Sequence, residues 1–597
     1  MAKPQNTRRR KAQRRVVVLL VLCCAVFALF LARLAWLQFA MADHYAQKLA
    51  EASSASYTIT QHAARGAITD RSGTVLARDE TVYDVYLRVP APPGTNLRET
   101  VNTISALTGG KDVETQLAAF CMAVSAGELS IAQGLDSTAA AAYYRAGLVQ
   151  SGAVRLAVRG ARAWPDGRLL PHALGFTGPI TAEQWPAARA RGLAMDATLG
   201  QSGLEAAYDD LLRGQDGTLL VNAGLDGIIR KATQVCAPAP GSTLVLTLDA
   251  GLQKTLQAAL QTQMDTLRTT KGAGAGREVK AGAAVVVDVR TGGILAAASL
   301  PDFDLNQYRS GYAALCADAA APLLDRVCQG LYAPGSAFKP AVAAAALTAG
   351  ISPASAVNCT GRYYYYSSYH PGCLQYGHSG PVDLRTALEY SCNIFFYDTG
   401  RRLGVDTFSA MAQRLGLAAD TGVEVAAAQG RLTWSSDANY QDGLTLMAAI
   451  GQGNTAVTPL QLAQYAATLA SFGRKPALHF ADRAVDPATG ETVWQYAPTF
   501  TEIPGGESVF GPIRDGMKRM AQTSRVLREA SVVCAAKTGS PQLADTLPGG
   551  SHYVNSVLIG YAPADDPQIA AAVVLEYGGG GANAAPILRA VLDAWFA

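Results

Sequence analysis

The chain has 597 residues, 49% of them hydrophobic and 16% charged. That length exceeds what one hydrophobic core fills and predicts two to four domains, and the composition excludes disorder over most of the chain. The net charge of +3 hides an asymmetry: Lys3, Arg8, Arg9, Arg10, Lys11, Arg14 and Arg15 carry seven positive charges before the first acid, Asp43, leaving the rest at −4 and without the basic stripe of a nucleic-acid binder.

The basic tail, residues 1–15, runs into the apolar stretch Val16–Phe39, where Arg33 is the one charge. At ~1.5 Å per residue this stretch reaches roughly 36 Å as a helix, enough to cross a bilayer core. Arg33 near its outer end can snorkel, and Trp36 suits an interface. A cleaved signal peptide is the alternative, since Ala40-Met41-Ala42 has the small-x-small pattern. The stretch is longer than the ~7–15 apolar residues of a signal peptide, which favours a single-pass anchor over 16–39. The positive-inside rule then puts residues 1–15 in the cytoplasm and the rest outside it.

A helical stretch is expected over Ala40–Ser53 and an extended one over Ser56–Thr60. Arg65–Ala77 alternates apolar positions around Ser72-Gly73 and reads as a hairpin. Helical patterns follow around 112–123 and 182–192, and Gly203–Asp209 opens an amphipathic helix ending near Gly214. The pattern changes near residue 240. Ser242–Leu248 reads as a strand, Asp249–Thr262 as a helix capped by Asp249, and Lys271–Lys280 as a loose loop. Ala283–Val289 and Gly293–Ser299 form a buried hairpin. Leu331–Leu469 is largely helical and alanine-rich, with Val382–Tyr390 and Phe395–Leu403 among its helices. Strands return at Val532–Ala536, Asn555–Tyr561 and Gln568–Tyr577, and a helix closes the chain over Ala585–Ala594. Strands at both ends with helices between predict an α+β domain: an antiparallel sheet with a helical lobe.

Ten cysteines are present. Cys23 and Cys24 lie in the anchor as apolar filler. Outside the cytoplasm disulfides are permitted, and Cys316 with Cys328 and Cys359 with Cys373 are plausible local pairs. Cys392 and Cys534 read as buried thiols. No spacing resembles a zinc site, so no metal and no cofactor is expected. Tyr363–Tyr366, between Cys359 and Cys373, reads as a surface strand rather than a groove lining.

Ser336 follows the turn Tyr332–Gly335 and starts a helical run to Thr348. A serine there is ordinarily an N-cap. Lys339 lies one helical turn on, so its ammonium stem covers the hydroxyl, and burial would make it a base able to take the serine proton. Ser391-Cys392-Asn393 follows between two helical stretches, and Lys537-Thr538-Gly539-Ser540 ends a strand. Ser-x-x-Lys, Ser-x-Asn and Lys-Thr-Gly in this order are the signature of penicillin-interacting serine enzymes.

Beyond these motifs the chain resembles the class B penicillin-binding proteins along most of its length after the anchor. Arg65–Ala77 is similar to their pedestal signature, and Gly203-Leu204-Glu205 with Tyr208-Asp209 to a later pedestal helix. Arg162-Ala163-Trp164-Pro165 and His172–Gly175 resemble Arg-x-Tyr-Pro and His-x-x-Gly, with Trp for Tyr. Asp288–Ala296, Pro301–Asn306, Gly451-Gln452-Gly453, Thr458–Ala463 and Gly560–Pro563 resemble segments of the catalytic domain. The resemblance implies an elongated mixed pedestal over 40–240 and a transpeptidase domain over 241–597, with the antiparallel sheet flanked by helices. It implies acyl transfer from stem peptides ending in D-Ala-D-Ala, with β-lactams as inhibitors. Ser336 is then the nucleophile and Lys339 its base. Ser391 bridges Lys339 and Lys537 and can shuttle a proton to the leaving amine, and Asn393 orients the substrate amide and Lys339. Thr538, Gly539 and Ser540, with Gly451, Gln452 and Gly453, line the substrate site, and Ser540 stands where threonine is common. The anchor and pedestal imply a polytopic glycan polymerase of the shape, elongation, division and sporulation family as partner.

A β-lactamase shares the three motifs, but its Glu-x-x-x-Asn deacylation motif is absent: Glu424, the first Glu after Ser391, is followed four residues on by Ala428. A D,D-carboxypeptidase differs only in taking water as acceptor. A scaffold that activates a polymerase without catalysis is the non-enzymatic alternative, against which the intact motifs argue.

Overall fold

The computed structural model describes residues 5–45, 48, 55–92, 94–123, 127–195, 197–223, 229–272, 274–374, 377–547 and 550–597. The chain forms two compact units, residues 1–63 with 215–239 and residues 64–214 with 240–597.

In the first unit, helix Gln5–Ala35 continues through a wider turn, Trp36–Ala40. Arg10–Ala40 is long and apolar enough to cross a membrane, and none of it is buried. The Arg33 guanidinium lies 4.3 Å from the Trp36 ring, so the one charge in the apolar run folds back onto an aromatic neighbour. Of the helical stretch expected over Ala40–Ser53, residues 46–47 and 49–53 lie outside the described residues; 42–45 are helical. The unit also holds an antiparallel sheet of Ala55–Gln61, Gly217–Ala223 and Ile229–Cys236.

The second unit is built on two sheets. In the five-stranded sheet, Ile294–Leu300, Gly282–Asp288, Ile569–Leu575, Ser556–Ala562 and Ala535–Gly539 lie in that order, all antiparallel. Its strands are almost wholly buried because helices cover both faces. The two-residue period of a strand assigns the faces. Ala283, Val285 and Val287 join the cluster holding Leu460, Leu462, Ala466 and Leu469 of helix Pro459–Ala470. Ala284 and Val286 join the cluster of Leu252, Leu256 and Leu260 from helix Ala250–Thr269, with Leu588 of helix Ala585–Trp595. Each such valine or leucine contributes roughly 1.5–3 kcal/mol by burial. A charge at Val285 would have no solvated face to turn to. Two of these three helices start on side-chain caps: Asp249 accepts from the Leu252 N–H, and Thr458 with Gln461 forms a capping box.

The other sheet has seven strands and draws on both sequence halves. Thr492–Gln495, Ala481–Val485, Thr243–Leu246, Ile68–Thr69, Val75–Val89 and Gly127–Leu135 follow in order, and Val154–Ala163 pairs with Val75–Val89. Thr243–Leu246 runs parallel to Ile68–Thr69, so the Arg65–Ala77 hairpin is sewn to the part of the chain after residue 240. A buried ionic network reinforces this junction. The Arg65 guanidinium donates to Glu205 Oε2 at 2.6 Å and Asp209 Oδ1 at 2.7 Å, and Arg162 donates to Glu205 Oε1 at 2.6 Å and to the Gly66 carbonyl at 2.9 Å. Tyr208 donates to Glu424, which also accepts from the Phe480 and Ala481 N–H groups. The amphipathic helix expected from Gly203 to Gly214 is two short helices, Gly203–Ala207 and Asp209–Leu212, broken at Tyr208. Asp209 and Tyr208 are committed to these tertiary bonds, which outweigh the local periodicity.

Candidate active site

Ser336 sits in a 3₁₀ turn, Gly335–Phe338, that leads into helix Lys339–Thr348. The helical start expected at Ser336 is therefore a tighter turn, and the α-helix begins at Lys339. That helix is buried from Lys339 to Ala346 because alanines let its neighbours approach on every side. Ser336 is half-buried at its mouth. The Gly335 N–H donates to the Gly451 carbonyl at 2.9 Å.

Lys339 is fully buried. Its ammonium donates to the Ser391 carbonyl at 2.7 Å, Ser391 Oγ at 3.1 Å and Asn393 Oδ1 at 2.7 Å. Lys537, also fully buried, donates to the same Ser391 Oγ at 3.0 Å and to the Thr538 carbonyl at 3.1 Å. One hydroxyl thus bridges two lysines. All these acceptors are neutral. Burial pulls Lys339 down from the ordinary lysine range to about 7, against an opposing effect of Cys392 and Cys373. Burial first, and then the Lys339 charge, hold Lys537 well below that range. Ser391 adopts φ 58°, a left-handed conformation that costs a non-glycine residue of order 1–3 kcal/mol and persists only where its surroundings enforce it.

Lys537, Thr538 and Gly539 lie within strand Ala535–Gly539 rather than after its end, as the sequence pattern predicts. Pairing continues through Gly539↔Val557, so the motif itself is the edge of the five-stranded sheet. A Cβ at Gly539 would come within 2.2 Å of the Pro334 carbonyl, and one at Gly451 within 2.2 Å of the Gly335 carbonyl. Both glycines are dictated by backbone packed against the serine turn. Ser540 is exposed, and its hydroxyl accepts from the Gly581 N–H at 2.9 Å. The fold therefore brings together Ser336, Lys339, Ser391, Asn393, Lys537, Gly539 and Gly451, with Thr538 and Ser540 on the adjoining edge. Gln452 is half-buried and bonds back to the Met447 carbonyl, and Gly453 is exposed beside Leu444.

Three expectations from the sequence need correction. Tyr363–Tyr366 is no surface strand: Tyr363 is buried and donates to Asp398 at 3.0 Å, while Tyr364 and Tyr365 are exposed. No disulfide joins Cys316 to Cys328 or Cys359 to Cys373. Third, the expectation of no metal overlooked a donor set that the fold assembles. One donor atom each of Cys359, Cys373, His378 and Cys392 lies within 4.8 Å of the others. The spacing of these residues resembles no common zinc pattern, and Cys392 is hidden inside the Ser-x-Asn motif. The pairing of Val357–Cys359 with Gly380–Val382 brings the set together, and the glycine between Cys373 and His378 was the only local turn signal.

Residues 282–593 match the penicillin binding protein transpeptidase domain, and residues 60–246 the penicillin-binding protein dimerisation domain. The chain is similar to the peptidoglycan D,D-transpeptidase MrdA of Acinetobacter baumannii, with 30% identity over 89% of this chain and 80% of that protein. It is 26% identical to MrdA of Escherichia coli K12 over 89% of this chain and 86% of that one. Among solved structures it resembles a chain of a peptidoglycan synthase complex that coordinates polymerization and crosslinking, with TM-score 0.73, 29% identity and 98% coverage of both chains. It also resembles PBP2 of Pseudomonas aeruginosa in complex with WCK 5153, with TM-score 0.63, 25% identity, and 90% of this chain and 96% of that one covered.

Proposed function

The chain belongs to the class B penicillin-binding proteins, and from that membership we propose that Ser336 is the nucleophile of a serine-type peptidoglycan D,D-transpeptidase. The observation that carries this reading is the Lys339–Ser391–Lys537 chain, in which two buried lysines share one hydroxyl beside a half-buried serine turn.

Neutral Lys339 takes the Ser336 proton as the serine oxygen attacks the penultimate D-Ala carbonyl. The backbone N–H groups of Ser336 and Ser540 receive the oxyanion. The close approach of Gly335 to the Ser540 nitrogen, 3.1 Å from an ideal Cβ, supports that pairing. Collapse breaks the peptide bond, and Ser391 passes a proton to the departing amine of D-Ala. Lys537, Thr538 and Ser540 hold the terminal carboxylate, Asn393 orients the substrate amide, and Gly451, Gln452 and Gly453 border the cleft. The edge strand Ala535–Gly539 offers unpaired backbone groups to an extended peptide. An amine from a second stem peptide then resolves the ester into a cross-link. β-Lactams form the same ester.

Residues 1–15 lie in the cytoplasm, 16–39 span the membrane, 40–240 form the pedestal and 241–597 the transpeptidase domain, outside the cytoplasm. The likeness to a synthase complex that couples polymerization to crosslinking supports a partner among the polytopic glycan polymerases. Labelled penicillin added to the purified protein should attach at Ser336, and Ser336→Ala should remove the label. Persistent labelling of that variant would reject the assignment, and rapid release of hydrolysed drug would favour a β-lactamase.

A further inference from the structure

We infer that the groove between the loop over residues 429–439 and Asn454 binds the glycan strand that carries the stem peptide, taking an N-acetylated disaccharide against Trp434. That this sugar bears the enzyme's own substrate rests on the function proposed above; the binding of sugar does not.

The groove has a volume of about 650 Å³, inside the roughly 300–1,000 Å³ of small-molecule sites. Part of its lining is fixed in advance by side-chain amides. Asn454 Nδ2 donates to Asp437 Oδ2 at 2.7 Å and to Asn439 Oδ1 at 2.7 Å, and Asn439 Nδ2 donates back to Asn454 Oδ1 at 3.0 Å. The Trp434 backbone N–H donates to the same Asp437 Oδ2 at 3.1 Å, so one carboxylate oxygen holds both the tryptophan and the amides in place. Other groups of the lining are unused. Among the described residues, Asp437 Oδ1 accepts no hydrogen bond, the Trp434 indole N–H donates none, and the exposed Gln413 amide and Arg431 guanidinium have no partner. Four polar groups with spare capacity therefore line one groove.

These features select a sugar. A pyranose ring offers a C–H face that packs on an indole, and around its edge hydroxyls and N-acetyl amides that both donate and accept. Trp434 is half-buried against the hydrophobic core, which holds its ring in place as a wall. Arg431 and the indole N–H supply donors, Asp437 Oδ1 an acceptor, and Gln413 both. One cation and one carboxylate leave the lining without net charge. A polyanion or an acidic lipid surface would need a cluster of cations, and a lipid tail would need an apolar wall.

Position ties the groove to the serine turn. The Gly451 carbonyl accepts from the Gly335 N–H at 2.9 Å. Three residues on, the Asn454 N–H donates to Thr433 Oγ1 at 3.1 Å, and Arg431 and Ala456 exchange backbone hydrogen bonds at 2.8 and 2.9 Å. The segment from Gly451 to Ala456 thus touches the serine turn at one end and the groove at the other. At ~3.3–3.6 Å per residue, Asn454 lies no more than about 11 Å from Gly451, and a stem of four residues between sugar and scissile bond reaches roughly 13–14 Å. The stem is long enough to leave its sugar in the groove while the scissile bond meets Ser336.

The test uses the full-length protein in detergent. The probe is a peptide-free tetrasaccharide of alternating N-acetylglucosamine and N-acetylmuramic acid, titrated by calorimetry. The wild type should bind it, and Trp434→Ala should weaken binding roughly tenfold or more, a loss of about 1.4 kcal/mol. If Trp434→Ala fails to fold, Gln413→Ala and Arg431→Ala change only exposed side chains, and each should weaken binding roughly three- to tenfold, the effect of one hydrogen bond. In a cross-linking assay the wild type should show a lower KM for uncross-linked glycan strands than for the same stem peptide without sugar, and Trp434→Ala should lose most of that difference. Failure of the wild type to bind at millimolar sugar, or undiminished binding by Trp434→Ala, would overturn the site. Equal KM values of the wild type for the two substrates would overturn its part in substrate recognition. Sugar binding that needs Trp434, in a protein that no penicillin labels, would refute the function proposed above and leave the groove standing.

Discussion

Two pairs of buried cations lie in the same compact unit, and the fold treats them in opposite ways. At the junction, Arg65 and Arg162 meet the carboxylates of Glu205, Asp209 and Asp79. Burial alone would lower Arg65, but Glu205 and Asp209 outweigh it, and its charge is fixed. At the serine turn, Lys339 and Lys537 donate to hydroxyl, amide and carbonyl oxygens. With no carboxylate among these acceptors, burial pulls both lysines down, for Lys339 against the opposing effect of Cys392 and Cys373. An acid-paired buried cation is a strut, whereas one given neutral acceptors is ready to lose a proton.

The comparison breaks most sharply at Lys339. Replacing it with Met keeps most of the volume and removes the base. Lys339→Met should slow acylation by labelled penicillin about 10²–10⁴-fold, with the thermal melt retained. Near-normal acylation would mean that this lysine, too, is a strut. Glu205→Ala should do the reverse. It leaves two buried guanidinium groups short of a carboxylate, so urea unfolding should report a loss of roughly 3–5 kcal/mol. The protein that remains folded should acylate at the wild-type rate. A slow but fully stable variant would abolish the distinction.

What the sequence disclosed follows the same division. The sheet strands were legible because strands buried on both faces are continuous apolar runs, as in Gly282–Asp288 and Ile569–Leu575. The chemical residues were legible because Ser-x-x-Lys, Ser-x-Asn and Lys-Thr-Gly each have fixed local spacing. The junction was visible as signatures, not as partners: nothing near Arg65 announces Glu205, 140 residues away. Strands Ala481–Val485 and Thr492–Gln495 went unrecognised because they are short and only partly buried, so they show little apolar run or alternation. The four-donor cluster stayed hidden because its ligands converge through tertiary pairing, and two cysteines close in sequence suggest a disulfide first.

A third expectation concerns pH. Lys339 acts as a base only when neutral, and burial sets its midpoint at about 7. The acylation rate should therefore rise about tenfold per unit as pH climbs toward 7 and level off above it. Stopped-flow labelling across pH 5–9 measures this. A flat profile through 7 would show that Lys339 loses no proton there, and the serine site would then resemble the junction.

The smallest effect tests how redundant the junction is. Tyr208 donates to Glu424 Oε1 at 3.0 Å, but Glu424 also accepts from the Phe480 and Ala481 N–H groups. Tyr208→Phe removes one donor and keeps the ring on Trp494, with centroids 5.3 Å apart. The carboxylate stays satisfied, so the loss should be only about 1 kcal/mol by urea unfolding, and acylation should not change. A loss several times larger would show that the Tyr208–Glu424 bond carries the junction by itself. The small loss expected here would mark a network in which each charge has spare partners. Ser391 has no such reserve: its single hydroxyl joins both lysines.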